Sequence, residues 1–339
     1  MFTPNQPSDG VETIATRLLE QNPGPIVRYR LLRDVLRKPA NDTELEQAWE
    51  NLAESRCIRE LADEQWKDGG WGAFHSRSTK LKQKIASTEV GVERALALGL
   101  DATHPILHKA TQYLLAIMQG KVAFPDYHEK NNRWQTGMRL FLASTLSLIQ
   151  PGHPILDKDR RLWLEIARRT FQSGRYSAED EIQAHAALTG ATVKDSYLVL
   201  SSRYQLNILG SMPGSLPREL EMALLNWIWN RPDGIGYLCI PLNRTPPFDK
   251  PGPFDRWLAS LEMLSRLFPS WVSFAQGAIE WLWAQGNEQG FWDFGPRPSS
   301  LSYFPLSNSW MTKQERTFDW TTRILILLRQ YYEDCELAR

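Results

Sequence analysis

Gln65-Trp-Lys-Asp-Gly-Gly-Trp71 is the stretch that decides the fold, because a turn of this kind recurs along the chain. Each time, an amphipathic helix ending near an amide or acidic residue is followed by a glycine, a short spacer and an aromatic residue. Such regular recurrence is typical of a protein built from repeated units that pack on their neighbours. The turn aromatics, spaced 53, 52, 61 and 55 residues apart, are Trp71, Phe124, Tyr176, Tyr237 and Trp292.

Helical periodicity surrounds these turns, with apolar residues at i, i+3, i+4 and i+7. Strand alternation is absent: the best candidate, Gly236 to Leu242, is short and contains a proline. The second helix of each pair is the more apolar, so we expect it to lie inside the first. The sequence therefore predicts an all-α protein. The periodic segments are Ile26 to Leu36, Val90 to Leu100, Met138 to Ile149, Tyr197 to Leu209, Trp257 to Leu267 and Thr321 to Tyr331.

Six helix pairs closed into an α/α toroid, a barrel with an inner and an outer helix layer, are the simplest architecture for this pattern. An open solenoid of helix pairs is the alternative, although its repeats usually run to only ~40–47 residues. We expect residues 1–20 to be a flexible N-terminus and residues 21–339 to form one toroid domain. A chain of this size can bury a large single core.

The composition of the chain limits the classes of partner and compartment that we expect. Lys plus Arg (39) balances Asp plus Glu (39), so we expect no nucleic-acid partner. Cys57, Cys239 and Cys335 are odd in number and far apart, which favours a reducing cytoplasm. No secretory signal or run of ~20 apolar residues is present, so any membrane contact is expected to be peripheral. The chain has 14 tryptophans, about three times the usual number, and we expect their aromatic surface to be buried or to take part in function.

The first turn resembles the Q-x-x-x-G-x-W repeat of squalene-hopene cyclases and related class II terpenoid cyclases. Gln65, Gly69 and Trp71 match it, and Gln285 to Trp292, with Gly290, resembles it with one residue inserted. The resemblance covers roughly residues 55 to 332, and the chain is also similar to the β subunits of protein prenyltransferases. It implies a toroid in which these glutamines, glycines and tryptophans are structural and tie neighbouring helix pairs together.

The resemblance also implies a chemistry. Class II terpenoid cyclases protonate an alkene or epoxide with the aspartic acid of a D-x-D-D run and steer carbocations with aromatic rings. This sequence has no such run. The prenyltransferase zinc site does not carry over either, because no aspartate stands two residues before Cys239. We therefore expect no metal and no cofactor.

Asp255 and Asp319 share an aromatic-Asp context at the start of predicted inner helices. They are either helix N-caps or, if walled by rings, acids with a raised pKa, and as such the catalytic candidates. In a toroid, the inner-helix N-termini converge on one end of the central cavity. The expected substrate-binding residues at that rim and its loops are Glu89, His128, Arg133, Trp134, Tyr197, Arg256, Trp257 and Trp320.

Three functions stay open at this point. The first is acid-initiated cyclisation or isomerisation of an isoprenoid or similar small hydrophobic molecule in a central, aromatic-lined cavity. The second is a non-catalytic toroid that binds a hydrophobic ligand or a partner protein. The third is an (α/α)-barrel carbohydrate enzyme, for which Asp255 and Asp319 would be paired carboxylates.

Overall fold

The computed structural model describes residues 7–76, 83–193, 197–245, 251–296, 305–307 and 312–338. These residues form helices and connecting loops, with three isolated β-bridges in place of strands, so the all-α prediction is confirmed. None of the described helices is long and apolar enough to cross a membrane. The helices are α1 (Pro7–Glu20), α2 (Pro25–Arg30), α3 (Thr43–Ala53), α4 (Arg56–Glu64), α5 (Thr88–Ala97), α6 (Pro105–Met118), α7 (Trp134–Ile149), α8 (Asp157–Thr170), α9 (Ala178–Leu188), α10 (Arg203–Leu209), α11 (Arg218–Asn230), α12 (Pro251–Leu267), α13 (Val272–Ala284) and α14 (Lys313–Leu337).

The second helices of the pairs pack against one another in chain order. Helix α5 contacts α7, α7 contacts α10, α10 contacts α12, and α12 contacts α14. Helix α14 in turn contacts α2 and the π-helical segment Leu31–Val35 that continues α2. These helices are deeply buried: α10, for example, buries every residue from Tyr204 to Leu209. The first helices pack on this set, as α6 does on α5 and α7 and α13 does on α14.

The two turns that match the repeat motif have the same hydrogen bonds. Each buried indole N–H donates to a carbonyl of the preceding helix, ten residues earlier. Each backbone N–H of the same tryptophan donates to a threonine hydroxyl of the following helix. One residue thus joins two helices of a unit. The groups are Trp71 Nε1 with Leu61 O (3.0 Å), Trp292 Nε1 with Leu282 O (2.7 Å), Trp71 N with Thr88 Oγ1 and Trp292 N with Thr321 Oγ1 (both 3.0 Å).

The other motif residues differ between the two turns. The Gln65 amide donates to Gly69 O and to Ile106 O, both at 2.9 Å, and so reaches the first turn of α6. Gln285 ends α13 as its C-cap residue. Gly69 has φ +100°, and a Cβ there would lie 2.2 Å from the Lys109 carbonyl oxygen, so only glycine fits this turn.

The structure describes residues 7–20 of the segment that we expect to be a flexible N-terminus. Residues 7–20 form α1, which packs against α14 and the π-helical segment. The physical reason is an apolar stripe at i, i+3 and i+7, because Val11, Ile14 and Leu18 are all buried. Ile14 lies against Gly290, so α1 covers the last motif turn.

Candidate functional site

A histidine, a glutamate and a tyrosine meet beside the N-termini of α5 and α10. His75 Nδ1 lies 2.9 Å from Glu89 Oε2 and 3.0 Å from the Tyr204 hydroxyl, which itself donates to Glu89 Oε2 at 3.1 Å. Glu89 is the second residue of α5, Tyr204 is the second of α10, and His75 lies in the loop before α5. We call these three residues the acid–base cluster.

The loop that carries His75 is fixed from two sides. The Asp126 carboxylate accepts the backbone N–H groups of Phe74, His75 and Ser76 at 2.6, 2.9 and 2.8 Å. On the other side, the Phe74 carbonyl accepts the N–H of Glu89 at 3.1 Å. The imidazole is therefore positioned by backbone hydrogen bonds on both flanks, as a catalytic group requires.

Aromatic rings surround the acid–base cluster. The His75 ring stacks on Phe141 at 4.1 Å with an interplanar angle of 8°, and Tyr204 and Tyr197 pack on Phe141 at 4.7 and 5.2 Å. Tyr237 approaches the His75 ring edge-on at 6.1 Å, and 46% of its surface is exposed. Tyr237 also has φ +72°, a backbone conformation that a bulky residue rarely adopts and that often marks a functional site.

The charges of the acid–base cluster favour a protonated imidazole. Burial by itself lowers the pKa of His75, but the hydrogen bond and the negative charge of Glu89 outweigh it and raise that pKa above its usual value. Burial, followed by the charge of Glu89, raises the pKa of Tyr204 well above 10, so its hydroxyl stays neutral. Glu89 Oε1 is buried and has no hydrogen-bond partner among the described residues.

A cavity of about 530 Å³ comes near this cluster at Arg203, the residue before Tyr204, but none of the three cluster residues lines it. Arg203 and Glu93 line it and form an ion pair, and the Arg203 guanidinium lies 5.7 Å from the centre of the Tyr204 ring. No aromatic side chain is among the described residues that line it, in contrast to the expected aromatic-lined cavity. We call it the arginine cavity, because its charged lining consists of Arg30, Arg33, Arg37, Arg203, Arg266 and Arg323 with Asp34, Glu93 and Glu262.

No match was found for this chain among protein-family models, curated proteins or solved structures.

Five of the predicted substrate-binding residues lie at or near the acid–base cluster. Glu89 is part of it, and Tyr197 packs on its wall with the Arg133 guanidinium 5.9 Å from the Tyr197 ring centre. Trp134 is buried and reaches the cluster through Phe124, which packs on Phe74. His128 is exposed and touches the Trp134 ring at 5.4 Å.

The remaining predicted residues lie apart from it. Trp257 and Trp320 are fully buried and both pack against Phe254, so they belong to the core rather than to a binding surface. Their neighbour Arg256 is exposed. These three residues lie on α12 and α14, whereas the acid–base cluster is built from α5, α10 and the loop before α5.

Neither catalytic candidate caps its helix. Asp255 lies inside α12 and Asp319 inside α14, because both helices begin earlier than the apolar period indicated. Asp255 is buried and forms an ion pair with Arg323 at 2.8 Å. Asp319 is buried and accepts hydrogen bonds from Leu306 N at 3.1 Å and Ser307 Oγ at 2.8 Å. Both carboxylates are held by protein groups, and these bonds tie helices and loops together.

Sequence reasoning missed His75 and the cavity arginines. His75 is not among the candidate residues taken from the sequence, because nothing local indicates that Tyr204, 129 residues later, bonds to it. A readable signal did exist for the arginines. Arg30 and Arg33 lie at helical spacing within one apolar helical segment, and Arg37 follows shortly after its end, which places a group of charges on a buried element.

Proposed function

We propose that this chain is an α/α toroid enzyme that moves a proton to or from a small substrate held between aromatic rings, with His75 Nε2 as the acid–base group. One observation carries the proposal: His75 Nδ1 is anchored on the buried Glu89 carboxylate while its side chain remains 24% exposed. A base oriented by a third group in this way is the arrangement used in general acid–base catalysis.

The helix contacts support closure into a ring. The inner series runs from α5 through α7, α10 and α12 to α14, and α14 returns to α2. Two arginines join the end of α2 and its π-helical continuation to the end of α5, since Arg30 and Arg33 donate to the carbonyls of Ala97 and Gly99. The acid–base cluster then lies at the N-terminal end of the inner helices and the arginine cavity towards their C-terminal ends.

The chemistry follows from the protonation states. With Nδ1–H donating to Glu89, the proton that exchanges with a substrate is the one on Nε2. The carboxylate stabilises the imidazolium form, and a neutral Tyr204 hydroxyl can supply a hydrogen bond to developing negative charge. An imidazolium suits proton transfer at carbon atoms next to a carbonyl or at hydroxyl groups, because the best catalytic pKa lies near the working pH.

Proton transfer by His75 favours a different reaction from the acid-initiated cyclisation considered from the sequence. Direct protonation of an isolated alkene needs a far stronger acid than an imidazolium, so the proposal favours proton-transfer isomerisation over carbocation cyclisation. The aromatic walls formed by Phe141, Tyr197 and Tyr237 still favour an apolar substrate body.

The test is deuterium incorporation. We would incubate the protein in D₂O with a panel of apolar carbonyl compounds and isoprenoid alcohols and diphosphates, and follow substrate mass by mass spectrometry. Wild type is expected to incorporate deuterium into at least one compound, and His75→Gln to lose about 10²–10⁴-fold of that rate. Substitution of His108, an exposed histidine of α6, by glutamine is the matched control and should change nothing.

A second measurement does not depend on the substrate. NMR titration of the histidine side chains should show a raised pKa for His75 in the wild type, and Glu89→Gln should lower it because the negative charge is removed. An unchanged His75 titration in Glu89→Gln would remove the basis of the proposal. Saturable binding of panel compounds without any deuterium incorporation would instead favour a non-catalytic binding protein.

A further inference from the structure

The arginine cavity carries more positive than negative charge, and most of its arginines have fixed partners. Arg30 and Arg33 both pair with Asp34, and Arg203 pairs with Glu93. Arg323 pairs with Glu262 at 2.6 Å and with Asp255, and Arg37 pairs with Glu333. Guanidinium groups paired in this way hold the helices that surround the cavity together.

Arg266 differs from this set. Its one hydrogen bond among the described residues joins Nη2 to the Asn207 amide oxygen at 3.3 Å, and no carboxylate lies within ion-pair distance. It lies deep in the protein, yet more than a third of its surface is exposed because it faces the arginine cavity. At least four of the five N–H donors of a guanidinium therefore point to no protein acceptor.

The groups around Arg266 hold its side chain in place and disfavour its positive charge. Asn207, which accepts from Arg266, donates its own amide to Ser144 Oγ at 3.1 Å and is thereby fixed. Burial lowers the pKa of Arg266 to about 10, and the like charge of Arg203 adds to the lowering. The like charge of Arg203 therefore acts against the charged form of Arg266, and an anion bound in the cavity would stabilise that form.

We propose that the arginine cavity binds a small organic anion whose carboxylate or phosphate oxygens accept hydrogen bonds from Arg266. A guanidinium fork matches the two oxygens of either group. The volume of about 530 Å³ exceeds what a lone inorganic ion needs and fits a small organic molecule. The inference depends on the cavity alone and holds whether or not His75 transfers a proton.

Binding is tested by isothermal titration calorimetry with citrate and with diphosphate as probes. Wild type is expected to bind at least one of them with one site per chain. Arg266→Gln removes the charge and the fork and should weaken binding about 10- to 100-fold, as expected for charge-assisted hydrogen bonds. Arg266→Lys, which retains the charge without the fork, should lie in between. Arg59→Gln, which removes an exposed arginine of α4, should bind as wild type does.

Thermal unfolding separates a ligand-binding arginine from a structural one. Without added anion, Arg266→Gln should unfold at a temperature no lower than that of wild type, because Arg266 forms no ion pair with the described residues and lies near the like charge of Arg203. Citrate or diphosphate should raise the unfolding temperature of wild type and not that of the variant. Absence of saturable binding by wild type, equal weakening by Arg59→Gln, or a lower unfolding temperature for Arg266→Gln would each overturn the inference.

Discussion

Replacing His185 by leucine is expected to make the protein less sensitive to mild acid. His185 lies in α9, is fully buried against Trp163, and has no hydrogen-bond partner for either ring nitrogen among the described residues. Burial lowers its pKa from 6.5 to about 4. Below pH 6.5 the unfolded chain therefore binds a proton at this residue while the folded protein does not.

The sign and size of the effect follow from that difference. The stability contributed by a neutral His185 is fully present above pH 6.5 and is lost as the pH falls towards 4. One proton bound by the unfolded state alone costs about 1.4 kcal/mol per pH unit. At pH 5, about 1.5 pH units below 6.5, the loss is therefore roughly 2 kcal/mol of the free energy of unfolding.

The assay is urea unfolding followed by circular dichroism at pH 7.5, 6.5, 5.5 and 5.0. Wild type minus His185→Leu should give a difference curve that is flat above pH 6.5 and falls by roughly 2 kcal/mol by pH 5. At pH 7.5 the variant should be at least as stable as wild type, because two unsatisfied buried nitrogens are removed. His108→Gln, at an exposed position, serves as the control. Parallel stability curves for wild type and His185→Leu would refute the reasoning.

Two further predictions concern helix packing. Alanine at Gly91 of α5 would place its Cβ 2.4 Å from the Trp71 ring, so Gly91→Ala should destabilise the protein by about 1–3 kcal/mol in urea unfolding. Gly277 is an exposed position of α13 with open space around it, so Gly277→Ala should stabilise the protein by about 0.5–1 kcal/mol in the same assay. Equal effects of the two substitutions would contradict the packing at Trp71. Trp292→Phe leaves the Leu282 carbonyl without its indole donor and should lower the free energy of unfolding by about 1–3 kcal/mol, measured by the same urea unfolding. A variant as stable as wild type would show that this hydrogen bond is dispensable.

The helices were predictable from the sequence because their signals are local. Apolar residues at helical spacing and recurrent aromatic-glycine turns identified the second helix of each pair. Helix starts were less well predicted. Helix α14 begins at Lys313, after the N-cap Thr312, whose side chain accepts the N–H of Glu315; this Thr-x-x-Glu pattern is readable from the sequence. The apolar period begins only at Thr321, well after the start of the helix itself. Asp319 was therefore expected to be a helix cap, although it lies inside α14.

The candidate site was less predictable because it depends on long-range contacts. Glu89 was identified from its place at a helix N-terminus. Its partners His75 and Tyr204 lie 14 residues before and 115 residues after it, and only the packing of α5 against α7 and α7 against α10 brings them together. The pairing of Arg323 with Asp255, 68 residues apart, was equally invisible and commits that carboxylate to a structural bond.

The packing of α1 on α14 has a consequence for synthesis on the ribosome. Glu12 pairs with Arg329 across 317 positions, so this contact cannot form until the residues between them have been translated. At about 5–20 residues per second, the apolar stripe of α1 waits roughly 15–60 seconds for its partner helix. During that interval, nascent chains expose Val11, Ile14 and Leu18, and we expect chaperones to engage this segment first.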